Sequence, residues 1–251
     1  VVEMVERVVK EKEHTGSFGS SCIIHCFTGP MDRIMLLGLG QKKSLDKEKI
    51  RLLAGKAAAR AMEINVSEYS IKPYTQLTKD FAEAFCEGTC LSLYKFDQYQ
   101  SQKPGESSHD PTLLKISLLV DRDPEEWQRV LDKTKIIVDA VNFGRDLANV
   151  PPNECSPEYL ARVALDLSSK HPRISTRIIE RYEMESLGLN GIVAVGMGSN
   201  KPPKLVIIEY RGNEDSISTV PFLFVGKAVT FDTGGISIKP SERMEEMKFD
   251  K

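Results

Sequence analysis

Apolar and polar positions alternate in blocks that change period along the chain. Two short apolar runs, CIIHCF and RIMLLGLG within residues 22–40, flank the turn-like TGPMD and predict a pair of strands. From Leu45 to Met62 the period changes. Leu45, Ile50, Leu53, Ala57 and Ala61 recur at roughly helical spacing and predict a helix. NVSEYSI reads as a short strand, and the apolar-faced stretch opening at Thr78 (LTKDFAEAFCEGTCLSLYKF) as a second helix. The polar segment Gln98–Pro111, with Pro104, Gly105, Ser107 and Ser108, is a loop, and TLLKISLLV is the next strand. Strands alternating with helices indicate an α/β fold with a largely parallel sheet.

A long helix is expected from Pro124, with Trp127, Leu131, Val138, Val141 and Leu147 along one side. It must stop at NVPPN, because Pro151 and Pro152 lack the N–H that a continuing helix needs. A domain boundary is placed there. Residues 1–150 form an N-terminal α/β domain with its linker helix, and residues 151–251 begin a second α/β domain. The second opens at Ser156-Pro157-Glu158, with proline in the first turn of a helix running to about Lys170. A strand near ISTRIIE, a short helix through Met184, and two apolar strands, KLVIIEY and PFLFVGKAV, complete it.

Composition narrows the class without naming it. The chain has 251 residues, 41% hydrophobic and 28% charged, as in ordinary globular proteins. A formal net charge of -2 gives no electrostatic reason to expect nucleic acid or an anionic membrane surface as partner. No run approaches the roughly 18 apolar residues of a membrane span. The opening VVEMVERVVKEKE carries acidic residues and no apolar core, so it is not a secretory signal, and a first residue other than Met reads as an internal start. Five cysteines, an odd and sparse set, favour a reducing compartment, and a cytoplasmic location is expected.

Several chemistries can be tested by spacing. Cys22, His25 and Cys26 with Cys86 and Cys90 suggest a metal centre, but on a strand His25 points away from both neighbouring thiols. Cys86 and Cys90 lie four apart on a helix, where small buried thiols are common. The pairs Gly38/Gly40 and Gly196/Gly198 lack the third glycine of a dinucleotide loop, where Lys43 and Lys201 stand. Gly226-Lys227 resembles the end of a phosphate-binding loop, but Pro221 and Ala228 occupy the positions of its first glycine and its Ser/Thr. The four histidines form no HExxH, and none sits in a nucleophile-elbow context. Asp232-Thr233-Gly234 is similar to an aspartic protease loop. That chemistry needs a second such carboxylate and an all-β frame, neither of which the chain offers.

The segment VGKAVTFDTGGISIKPSERMEEMKFD, residues 225–250, carries the most chemistry. An apolar run leads to Lys227, Asp232 follows beside Gly234-Gly235, and Lys239 and Asp250 come next. Carboxylates at the end of a strand suit hard or borderline divalent cations. A lysine can join them only as the neutral amine, which nearby dications would favour. The plainer reading is a glycine-rich turn with surface ion pairs.

GKAVTFDTGGISIK followed by MKFD resembles the hallmark of the leucyl, or cytosol, aminopeptidases, GK-x-x-x-FDSGG-x-x-x-K then MK-x-D, with Thr233 for the usual serine. EGTCLSLYKFDQY, GRDLANVPPNECSPEYLA and VAVGMGSNKPPKLVIIEYRG extend the resemblance over most of the chain from about residue 34. It implies a metal-dependent aminopeptidase releasing leucine-like N-terminal residues from peptides. Two divalent ions (Zn or Mn, possibly Mg) are expected, as is a homo-hexamer. It implies Lys227, Asp232 and Asp250 as metal ligands, with Asp232 bridging, Lys239 as the catalytic lysine at the substrate carbonyl, and Met247 in the side-chain pocket. Members of that family continue past the position of Asp250 to an NTDAEGR-like run that supplies a further Asp, Glu and Arg. Here the run ends at Lys251, where Met is expected, so the resemblance implies a metal site cut short and a 251-residue chain without activity. The alternative is a metal-dead paralogue with a structural or assembly role.

Overall fold

The computed structural model describes residues 2–27, 29–72, 78–101, 114–212 and 222–251. They divide into two compact units, Val1–Phe143 and Gly144–Lys251.

The first unit opens with helix α1 (Val2–Lys10) and an antiparallel hairpin, β1 (Ser21–His25) with β2 (Arg33–Leu37), in the register Ile24 opposite Ile34. Helix α2 (Lys47–Glu63) starts where Asp46 accepts a hydrogen bond from the Lys49 N–H at 2.8 Å. β3 (Glu68–Ile71), helix α3 (Lys79–Ser92) and β4 (Lys115–Leu118) form a strand–helix–strand unit whose strands pair in parallel. Thr78 caps α3 by accepting from the Phe81 N–H at 3.1 Å. Most of the expected loop Gln98–Pro111, and the first residues of TLLKISLLV, lie outside the described residues.

The core of this unit is the α2–α3 pair. Ala54, Ala57, Ala58 and Ala61 on α2 are buried, as are Ala82, Ala84 and Phe85 on α3. Small side chains let the two backbones approach. A Cβ on Gly88 would come within 2.1 Å of the Arg51 carbonyl oxygen, so glycine alone fits there. Lys47 reaches Glu83 at 2.7 Å, and Arg51 binds Glu87, across the same seam.

Helix α4 (Pro124–Asn149) ends before Pro151, as the paired prolines require. In the second unit Ser156 caps α5 (Pro157–Lys170) through the Tyr159 N–H at 3.4 Å. β5 (Ile174–Ile179) pairs antiparallel with β6 (Leu205–Tyr210). Between them lie α6 (Arg181–Ser186) and α7 (Asn190–Gly196), the latter absent from the sequence reading. Ile179, Met184 and Val193 form a small core with Leu189 and Leu205 against it.

Two expectations are corrected. The largely parallel sheet is replaced, among the described residues, by three two-stranded sheets of which only β3–β4 is parallel. PFLFVGKAV forms no strand over its described part, 222–229; Phe222 is 94% exposed and Phe224 92%. An apolar run specifies burial but not a partner. No described strand pairs with this one, so its backbone has no ladder to join.

Candidate functional site

Residues 230–251 fold as a tight turn followed by a short 3-10 helix, Met244–Asp250. Asp232 begins the turn. Its carboxylate accepts the Gly234 N–H at 2.9 Å, a local bond that aspartate makes readily and that bends the chain. Gly234 (φ 90°) and Gly235 (φ 63°) both occupy the left-handed region. A Cβ on Gly234 would lie 2.2 Å from the Ser237 carbonyl oxygen. Gly234 is therefore demanded by conformation and by space, and Gly235 by conformation alone. The Lys239 N–H donates to the Thr233 carbonyl oxygen at 2.8 Å and closes the turn.

This closure brings three of the five sequence-selected residues together. Lys239 Nζ is 2.9 Å from Asp232 Oδ2 and 3.1 Å from Met247 Sδ, so the lysine bridges the turn and the 3-10 helix. The Lys239 ammonium, the Gly234 N–H and the charge of Lys227 hold the Asp232 carboxyl below its ordinary range. Lys227 is exposed and within electrostatic reach of Asp232. Asp250 closes the 3-10 helix, and its side chain lies outside the described residues.

Lysines that the sequence reading assigned no role anchor this segment. Lys248 Nζ donates to the Asn149 carbonyl oxygen at 3.2 Å, and Lys251 Nζ to those of Leu147 and Val150 at 3.2 and 2.5 Å. The last carbonyls of a helix have no partner within it and carry its negative dipole end, which suits ammonium groups. The two lysines thus tie residues 244–251 to the end of α4. Their spacing three apart on one side of a helical turn is the only sequence signal. Lys204, its side chain 8% exposed, similarly joins Glu158 at 2.8 Å and Glu180 at 2.5 Å.

Asp232, half-exposed with an oxygen on each of two hydrogen-bonding partners, has the donor chemistry of a hard or borderline cation ligand, and Lys227 could join it only as the neutral amine. Among the described residues no three His, Cys, Asp or Glu side chains gather to hold a metal ion. The described donors therefore offer a divalent ion a partial set of ligands. The thiols of Cys22 and Cys26 and those of Cys86 and Cys90 lie on separate elements, the β1–β2 hairpin and α3.

Residues 142–251 match the catalytic domain of the cytosol aminopeptidase family, and residues 2–103 its N-terminal domain. The chain belongs to the cytosol aminopeptidase family. It is 35% identical over 254 residues to a probable cytosol aminopeptidase of Nitrosococcus oceani, covering 98% of this chain and 50% of that protein. A probable cytosol aminopeptidase of Cenarchaeum symbiosum is 37% identical over 223 residues, covering 88% and 43%. The chain spans about half the length of these curated relatives. The fold is shared with the bottromycin maturation enzyme BotP in complex with Mn (TM-score 0.74, 24% identity, 96% of this chain and 49% of that one). It is shared also with a mutant tomato leucine aminopeptidase (TM-score 0.66, 22% identity, 81% and 40%). No helix among the described residues is long and apolar enough to cross a membrane.

Proposed function

We propose that the full-length protein is a dinuclear-metal aminopeptidase that releases leucine-like N-terminal residues from peptides, acting in the cytoplasm as a homo-hexamer. The observation that carries this reading is the Asp232–Lys239–Met247 cluster, 2.9 and 3.1 Å across, inside the segment that matches the family's catalytic domain. Asp232, Lys227 and Asp250 would hold two divalent ions (Zn or Mn, possibly Mg). When bound, such a pair supplies Lewis-acid polarisation of the carbonyl and a water of lowered pKa.

The chain's own residues divide the remaining tasks. Lys239 is a cation fixed by the Thr233 contact of its backbone, and it aims its ammonium at negative charge. With Asp232 committed to cations, that charge is the oxyanion developing on the substrate carbonyl. Met247, flexible and apolar, lines the pocket for the first side chain, where its sulfur tolerates varied aliphatic shapes. Lys248 and Lys251 hold the 3-10 helix, and with it Met247 and Asp250, to the end of α4.

Residues 1–251 by themselves offer three candidate ligands, fewer than a pair of dications needs. Asp232 is answered by Lys239 instead. This segment alone is expected to bind divalent metal weakly and to turn over no leucyl substrate. Calorimetric titration with zinc and manganese beside a leucine-anilide assay tests this. Tight uptake of two metals per chain, or turnover lost in Asp232→Ala, would contradict the assignment.

A further inference from the structure

The backbone bond from Lys239 to Thr233 fixes where the lysine starts but not where its ammonium ends, because a flexible chain of methylenes lies between. Gly234 removes part of that freedom. A Cβ there would stand 3.1 Å from Lys239 Cγ, so the stem runs directly over the glycine. Among the described residues Nζ then reaches two side chains, Asp232 Oδ2 at 2.9 Å and Met247 Sδ at 3.1 Å. The two partners differ in kind. Asp232 is an anion on the same turn. Met247 is a neutral, half-buried thioether on the 3-10 helix, which Lys248 and Lys251 tie separately to the end of α4. The sulfur therefore meets the ammonium from an element whose position does not depend on the turn.

We propose that Met247 is a positioning residue for Lys239, its sulfur holding the ammonium in place for the substrate carbonyl when Asp232 is engaged with cations. This inference rests on the aminopeptidase reading above. A thioether suits the task because it is a weak, uncharged acceptor. It orients one N–H and leaves the ammonium's charge unanswered, so the developing oxyanion meets no competitor. A carboxylate in its place would neutralise the lysine, and an aliphatic chain would leave the ammonium free to swing away. Placement of the lysine and recognition of the substrate's first side chain then meet in one residue.

Two measurements on the full-length protein test this, and the first needs no turnover. Hydrogen peroxide transfers one oxygen to a methionine sulfur and leaves as water, and a sulfur whose lone pair faces an ammonium reacts more slowly. Lys239→Met matches the lysine stem in shape and lacks its charge. In metal-stripped protein it should speed sulfoxide formation at Met247, followed by peptide mapping, about two- to tenfold, as expected for loss of one modest hydrogen bond. The exposed Met31 and Met197 should keep their rates. The second measurement is a kinetic cycle. Met247→Leu conserves volume and should lower kcat on a leucyl substrate about two- to tenfold with a smaller change in KM. In a Lys239→Met background the same substitution should cost no kcat, because it acts through the ammonium, whereas a pocket or folding role would persist there. An unchanged oxidation rate at Met247 in Lys239→Met, or an equal kcat loss from Met247→Leu in both backgrounds, would overturn the proposal while the aminopeptidase reading stands. Absence of leucyl turnover in the unaltered, metal-loaded protein would overturn both.

Discussion

The α2–α3 pair and the run 222–229 are both rich in apolar residues and have opposite fates. In the helix pair, alanines and Gly88 bring two backbones together so closely that a single Cβ at Gly88 would overlap Arg51, and both helices have side-chain caps. In the run, Phe222, Leu223, Phe224 and Val225 are each at least 84% exposed, and no described strand pairs with them. The lesson is that helices complete their backbone hydrogen bonds internally and need only a packing face. A strand needs a neighbour as well.

The largest effect should come from filling the closest helix contact. Gly88→Val puts a branched side chain where 2.1 Å is available to backbone, and is expected to cost about 2–3 kcal/mol. Denaturant melts of the first unit check it, and a neutral result would mean that the helices can separate without loss. Next come the caps. Thr78→Ala should cost about 1 kcal/mol, and Ser156→Ala less, since its 3.4 Å bond is longer than the 3.1 Å bond of Thr78.

Much of this contrast is legible in the sequence. The Leu45–Met62 periodicity locates α2, while Thr78 and Ser156-Pro157 announce two helix starts within a residue of where they occur. These signals are local, so the chain states them in place. Pairing is not local. PFLFVGKAV and KLVIIEY look alike as apolar runs, yet among the described residues only the second meets a partner, β5. For the site, the spacing of Asp232, Gly234, Gly235 and Lys239 makes the turn readable. The anchoring of Lys248 and Lys251 on α4 is not, because two lysines three apart are usually a solvated face.

In the exposed run, Phe222→Ser with Phe224→Ser should change stability by under about 0.5 kcal/mol, since neither ring is buried. It should still reduce self-association of residues 1–251, because exposed apolar patches promote it. Sedimentation reads the second effect. Full hydrogen-exchange protection across 222–229 would contradict the exposed state. An electrostatic effect of similar size comes from the α2–α3 seam. The Lys47 hydrogen bond holds the Glu83 carboxyl below its ordinary range, so the pair stabilises α2–α3 above about pH 4.3 and that contribution fades as pH falls through the lowered value. Exposure of both side chains limits it to about 0.2–1 kcal/mol. Glu83→Gln should flatten that part of the acid melting curve.

The proposed function divides labour between Asp232 as a metal ligand and Lys239 as a charge held for the substrate. Elemental analysis of the full-length protein, with kcat measured on the same samples, tests it most directly. Lys239→Ala should keep its metal and lose about a hundred- to a thousand-fold in kcat, while Asp232→Ala should lose both metal and turnover. Loss of both metals in Lys239→Ala, or full metal content in Asp232→Ala, would contradict the account.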